Sequence, residues 1–454
     1  MKLNSEQREV AISEEERQKS LSSPKLPFNP PFFYGWIIVF MGALGMFFSG
    51  PGQTYTVSIF IESYVRDFGW SQSLIASMYS IATLVAGLFF FFVGKFVDRF
   101  GQRKMSVTIG MLLAFACFLN SFIAGATMLF IGFFMLRLFG QGSMTLIPGT
   151  LVPQWFVKQR GRALSLMALG GFVGSSSLPP LNAWLIESYG WSMTWQIWGI
   201  ILACFYVPLA FFLIRNKPEQ VGLLPDGQKN KSEQDKVSQS DQTDKRHSGE
   251  NKSTKKEISW KLNEAMRTRV FWFILFCVGI PSMVNTGIVF HITFILGENG
   301  MNNMMASYIL SLMAVVAFPV TFIAGFVVER IKVHWVLALT FIGQAVAMLV
   351  LLQVNTFGMA VLFGVIRGLV GGFEVICLGI IWPNYFGREH LGSIKGIAMT
   401  VTVIGSAFGP LPFGLAYDMF GGYSEIILLM TLFPLLGACA AFFSPTPNKA
   451  VLSK

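Results

Sequence analysis

The sequence predicts an all-α membrane protein with twelve transmembrane helices in two six-helix bundles, and three observations predict it. First, 53% of the 454 residues are hydrophobic and only 13% are charged. An ordinary soluble domain carries about 25% charged residues, so this chain has too few to cover a water-facing surface. Second, the charges crowd into the N-terminal stretch, one central segment and short loops, leaving apolar runs long enough to cross a hydrocarbon core of roughly 30 Å as helices. Third, the two halves of the chain repeat one another.

The apolar runs place spans at about 33–61, 74–97, 104–124, 127–152, 163–187, 193–214, 270–297, 304–328, 333–353, 356–382, 393–417 and 424–443. Domain boundaries follow: an N-tail 1–32, a first bundle 33–214, a linker 215–269, a second bundle 270–443 and a C-tail 444–454. An even number of spans puts both tails on one side. Apart from Arg66, Arg137 and Arg367, the Lys and Arg residues lie in the tails, the even-numbered loops and their edges. The positive-inside bias therefore expects both termini in the cytoplasm of a plasma or inner membrane.

The polar N-tail, with Glu14, Glu15, Glu16, Arg17 and Lys19 ahead of the first apolar run, does not read as a cleavable signal. The linker is rich in Lys, Asp, Gln and Ser and has almost no apolar residues before Ile258. It is expected to be disordered or weakly ordered, since it buries too little to offset its conformational entropy. The cysteines Cys117, Cys204, Cys277, Cys377 and Cys439 all fall in apolar runs. They read as small hydrophobes, with neither disulfide nor metal-ligand spacing. The net charge of +10 lies in loops at one membrane face, which argues against a nucleic-acid partner. No nucleophile–base set or nucleotide-binding loop is present, so the chain is not expected to be an enzyme or to need a cofactor.

The halves repeat at an offset of 230 or 231 residues. Pro51 matches Pro281, Phe60 matches Phe290, Arg137 matches Arg367, Gly142 matches Gly372, Pro153 matches Pro383, Phe156 matches Phe386, Ser176 matches Ser406 and Pro180 matches Pro410. One residue further along, Gly69 matches Gly300, Gly94 matches Gly325, Asp98 matches Glu329 and Arg99 matches Arg330. Parallel six-helix repeats are an architecture of secondary transporters, in which two bundles rock about a central site.

Between spans two and three runs Gly94-Lys95-Phe96-Val97-Asp98-Arg99-Phe100-Gly101-Gln102-Arg103-Lys104. It resembles the signature loop of the major facilitator superfamily, with Gly94, Asp98, Arg99, Gly101 and Arg103 as its gating residues. Gly325 to Arg330 is a degenerate second copy. Tyr34-Gly35-Trp36, Gly50-Pro51-Gly52-Gln53, Phe68-Gly69-Trp70-Ser71, Trp155 to Ala163 and Tyr385 to Gly392 together resemble the monocarboxylate and oxalate–formate transporter branch. The resemblance implies the major facilitator fold, alternating access and a central cavity lined by spans one, four, seven and ten. It also implies a carboxylate held by arginine. Members of this branch often carry that arginine in span eight, but Ser307 to Val328 contains none, and Lys395 lies only at the edge of span eleven.

Ionisable groups inside the spans are functional candidates by default. These are Arg137 in span four, Arg367 at the matching depth of span ten, Glu374 two turns from Arg367 on the same face, and His291 in the outer part of span seven. For Arg137 the choice is between solute contact and packing, and for Glu374 between a proton site and an arginine's counter-ion. His291 reads as a titrating group or a hydrogen-bonded structural one. Tyr55, Tyr79 and Trp382 read as packing or interfacial anchors. The net positive charge of Arg137, Arg367 and Glu374, with the titratable His291 added, suits a small organic anion such as a monocarboxylate, moved with protons or by exchange, through a monomer in the bilayer. Efflux of hydrophobic compounds and a transporter-like sensor are the alternative readings.

Overall fold

The computed structural model describes residues 27, 30–156, 159–227, 260–387 and 391–447. All elements among them are helical. The crossing helices are α1 (Gly35–Phe68), α2 (Gln72–Phe100), α3 (Gln102–Ser121), α4 (Ala126–Trp155), α5 and α6 (together Arg162–Leu213), α7 (Arg269–Gly297), α8 (Asn303–Arg330), α9 (Val333–Leu352), α10 (Phe357–Phe386), α11 (Leu391–Phe408, continued by Pro410–Phe420) and α12 (Ser424–Phe442). Eleven helical runs among the described residues are long and apolar enough to cross a bilayer. One of them, Arg162–Leu213, breaks at Gly190 (φ 80°) into α5 and α6.

Sequence and structure differ at two places. Helix α1 runs on through Glu62, Arg66 and Asp67, past the apolar stretch, and stops at the left-handed Gly69. The linker is ordered at both described ends: Pro218–Val221 and Pro225–Gly227 form short turns, and Leu262–Met266 forms a helix. Each end has a surface to bury. The Asp226 side chain accepts from the Gln159 amide at 3.1 Å, and the Trp260 amide donates to the Phe386 carbonyl at 2.9 Å while its ring packs edge-on against Phe386. The middle of the linker lies outside the described residues, as do Val157, Lys158, Arg388 and His390.

The repeat is visible in the packing. Helix α1 packs on α5 as α7 packs on α11; α2 on α4 as α8 on α10; α3 on α6 as α9 on α12. Equivalent tethers close the linker end of each bundle: Trp155 Nε1 donates to the Arg215 carbonyl (3.0 Å), and Tyr385 Oη donates to the Ser444 carbonyl (2.8 Å).

The bundles meet along α2–α11, α1–α7 and α5–α8. At the end away from the linker the contacts are polar and tight. Asn303 Nδ2 donates to the Ile59 carbonyl at 3.1 Å, and Gln72 bonds His291 (3.3 Å) and Tyr423. Toward the linker end, the lower part of α4 and the whole of α10 make no comparable contact with the opposite bundle among the described residues.

Candidate functional site

Helix α1 is not continuous. Gly50-Pro51-Gly52 form a 3-10 turn, and this turn lies against a π-helical stretch of α4, Leu136–Ser143. Gly52 and Gly140 are the reason they fit: a Cβ on either would strike the other's backbone. The wide π turn, a feature common at functional sites, carries Arg137. The proline-broken α1 leaves the Gly52 carbonyl free to face it.

Arg137 is 2% exposed. Its Nε donates to Thr83 Oγ1 (3.0 Å), its Nη1 to the Gly52 carbonyl and Thr54 Oγ1 (both 3.4 Å), and its Nη2 to Ser406 Oγ of the opposite bundle (3.3 Å). The guanidinium carbon sits 5.0 Å from the Tyr79 ring centre. Tyr79 Oη in turn lies 2.8 Å from Thr54 Oγ1, and Thr286 Oγ1 donates to Ser406 at 3.2 Å. Every partner is neutral. No carboxylate lies within ion-pairing reach of Arg137 among the described residues. Three of the four bonds are longer than the usual 2.7–3.2 Å, so the guanidinium is loosely held.

Arg367 occupies the matching position of the repeat and a different environment. Its Nη1 and Nη2 both reach Glu374 Oε2 at 3.1 Å, with both side chains buried. Gly371 lies between them on the same face of the helix, and a Cβ there would rest in ordinary contact with Arg367 Nη1, 3.7 Å away. The sequence holds the cause of the asymmetry: Met144 stands where the first half would need the acid, and Val284, Leu310 and Ala314 stand where the second half would need Thr54, Tyr79 and Thr83.

His291 belongs to a third constellation, at the end away from the linker. It is fully buried, with Nε2 3.0 Å from the Pro410 carbonyl and Nδ1 3.1 Å from Tyr423 Oη and 3.3 Å from Gln72 Oε1. These contacts join α7, α11 and α12 to α2 of the opposite bundle. The structure thus brings Arg367 and Glu374 together and leaves Arg137 and His291 in separate networks that share no hydrogen-bond partner.

In the loop between α2 and α3, Gly101 takes φ 81°. The Arg103 amide donates to Asn216 Oδ1 (2.8 Å), and Arg103 Nε donates to the Phe211 carbonyl (2.9 Å) with the guanidinium over the Phe211 ring. A cation there complements the C-terminal dipole of α6. Arg99 lies over the Phe100 ring, 5.4 Å from its centre, and the space beside Gly94 is open. Asp98 is in the last turn of α2, and its side chain is outside the described set.

Sequence reasoning singled out the arginines but not the hydroxyls around Arg137. Tyr79, read as packing, lies beneath the guanidinium, and its ring centre is 4.5 Å from that of Phe290 of α7, the two rings tilted at 45°. The usable signal was the polar–apolar mismatch between repeat-equivalent positions.

A family model for the Major Facilitator Superfamily matches residues 36–410 and again 272–454. The chain belongs to the Major Facilitator Superfamily. Major facilitator proteins are transporters and not enzymes, and the many apolar helices make this one a multi-pass membrane protein. Monocarboxylate transporter 2 of Homo sapiens is 25% identical over 430 residues, covering 89% of this chain and 85% of that protein. Monocarboxylate transporter 9 of Mus musculus is 29% identical over 180 residues, 39% of this chain and 35% of that one. The MFS antiporter QDR3 of Candida albicans is 28% identical over 185 residues, 39% of this chain and only 25% of that protein. In these last two relatives the match therefore spans about a third or less of their length. A solved bacterial homologue of the human lysosomal transporter Spinster, inward-facing and unoccupied, superposes with a TM-score of 0.70 at 13% identity. It covers 92% of this chain and 98% of that one. At that identity the likeness is one of major facilitator fold.

Proposed function

We propose that this chain is a secondary active transporter that moves a small organic anion, a monocarboxylate, by alternating access with proton symport or anion exchange. The observation that carries this reading is Arg137, a buried guanidinium with neutral partners only, at the junction of the two bundles. A buried charge with no counter-ion is costly. A solute carboxylate supplies the missing charge and matches the guanidinium's planar fork. One uncompensated positive charge favours one carboxylate over two. Resemblance to the monocarboxylate transporters supports the same class.

Arg137 donates to Ser406 across the bundle interface, so a solute replacing that weak contact would bind both bundles at once. Closure away from the linker and a looser linker end support an inward-facing arrangement, with the tails and linker in the cytoplasm of a plasma or inner membrane. Transport by a monomer needs no second chain at this site.

The test is uptake of labelled lactate, pyruvate, formate and oxalate into proteoliposomes, with an inward proton gradient or internal anion. Saturable uptake of monocarboxylates in preference to oxalate supports the reading. A folded protein that moves none of the four refutes it.

A further inference from the structure

The outer face of the second bundle is concave near its linker end. Helices α7 and α12 cross closely at Gly437. Cys277 Sγ donates to the Gly437 carbonyl at 3.6 Å, and a Cβ on Gly437 would come within 2.8 Å of Ile280. Next to that crossing, toward the linker, a groove of about 380 Å³ lies between the two helices, lined by Phe273, Phe276, Leu436, Cys439, Ala440 and Phe443. Its volume is that of a small-molecule site, about 300–1,000 Å³. Phe273, Phe276, Leu436, Cys439 and Phe443 are all exposed, so no other described residue fills it. An apolar surface at this depth faces lipid, and a groove there accepts an acyl chain.

A positive charge stands at the mouth. Arg269, Phe273 and Phe276 follow helical spacing and share one face of α7. Arg269 opens the helix, is exposed and joins no ion pair among the described residues. Arg267, two residues earlier, is exposed and unpaired in the same sense. The nearby acid Glu264 is engaged elsewhere, accepting from the Lys261 amide at 3.0 Å. Thr268 Oγ1 accepts from the Phe271 amide at 3.2 Å and fixes the start of α7, whose dipole adds to the positive potential. Two tryptophans mark the depth. Trp272 Nε1 donates to the Met266 carbonyl at 2.8 Å, and the exposed Trp335 of α9 packs edge-on against Phe442 at 4.8 Å. Such rings sit at the headgroup level of a bilayer. The arginines therefore lie at headgroup depth, and the groove runs from them into the hydrocarbon.

We propose that this groove binds one anionic phospholipid of the linker-side leaflet, with its phosphate on Arg269 and Arg267 and one acyl chain between α7 and α12. A phospholipid has both parts in the order the surface presents them. A zwitterionic headgroup offsets its phosphate with its own cation, whereas a net-negative headgroup keeps the full attraction of two unpaired guanidinium groups. Each basic residue near the membrane surface strengthens binding of anionic lipid by about five-fold. The site is independent of the solute and of its coupling.

The experiment uses the full chain, stripped of lipid in detergent, with dioleoyl phosphatidylglycerol or dioleoyl phosphatidylcholine added. Native mass spectrometry should show one phosphatidylglycerol retained per chain in preference to phosphatidylcholine. Arg267→Gln with Arg269→Gln should weaken that retention by about five- to thirty-fold. Arg330→Gln removes an exposed cation from the end of α8 and should leave it within about two-fold. Equal retention of the two lipids, or equal losses in the two variants, overturns the proposal. A second measurement needs no variant at the arginines. Cys439 lines the groove, and the exposed Cys204 of α6 is an internal reference. Phosphatidylglycerol should slow N-ethylmaleimide modification of Cys439, read by peptide mass, and leave Cys204 unchanged. Slowing of both thiols alike, or of neither, overturns the placement of the chain.

Discussion

Replacing Arg137 with Gln removes a buried cation and leaves a shorter, neutral polar side chain. Its cost to folding follows from the geometry. One bond, to Thr83, has ordinary length, and the other three lie at 3.3–3.4 Å. A net bond is worth about 1 kcal/mol, and an amide can keep one of the partners, so stability should change by about 1 kcal/mol or less. The cost to solute binding is larger. A carboxylate held by two charge-assisted bonds loses about 1.5–3 kcal/mol for each, and a neutral amide returns about 1 kcal/mol. The net loss of about 2–5 kcal/mol corresponds to roughly 30-fold to several thousand-fold weaker binding. Equilibrium binding of labelled lactate to solubilised protein, with thermal unfolding of the same sample, measures both quantities. If affinity stays within about three-fold of wild type, or the variant fails to fold, Arg137 is a packing residue and the reasoning is wrong.

Three further outcomes are expected. Tyr423→Phe removes a hydroxyl that bridges His291 and Gln72 between the bundles. It should weaken closure at that end by about 1–2 kcal/mol, raising thiol labelling of a cysteine placed at Ser73 about five- to thirty-fold; unchanged labelling would remove the contact from the gate. Burial, and next the nearby Glu425 carboxylate, hold the Glu298 carboxyl above its ordinary range. The stability this raised group contributes is therefore present below the unfolded value and lost as pH rises through the folded one, and Glu425→Gln should shrink that loss in melting curves taken between acid and neutral pH. Gly101→Ala places a side chain at φ 81° against Asn216. It should cost about 1–3 kcal/mol in unfolding free energy measured in detergent, and an unchanged melting temperature would contradict the strain.

The sequence by itself determined the membrane class, the spans and the two-bundle repeat. These depend on apolar length and on residue identity at a fixed offset, and both are local quantities. Arg137, Arg367 and Glu374 stood out for the same reason: a charge inside an apolar run is visible without any partner. The linker ends were not legible, because Trp260 and Asp226 are ordered by Phe386 and Gln159, which lie far from them along the chain. Nor was the fate of the two matched arginines. Pairing of Arg367 with Glu374 needed only helical spacing along α10. The cage around Arg137, by contrast, is assembled from α1, α2, α4 and α11. The sequence places His291 in the outer part of span seven as a titrating or a structural group, and its contacts with Gln72, Tyr423 and the Pro410 carbonyl were not legible, since hydrogen-bond partners are set by how helices cross. Which charge stays uncompensated was decided only by tertiary structure, because compensation depends on what lies within about 4 Å in space and not on separation along the chain.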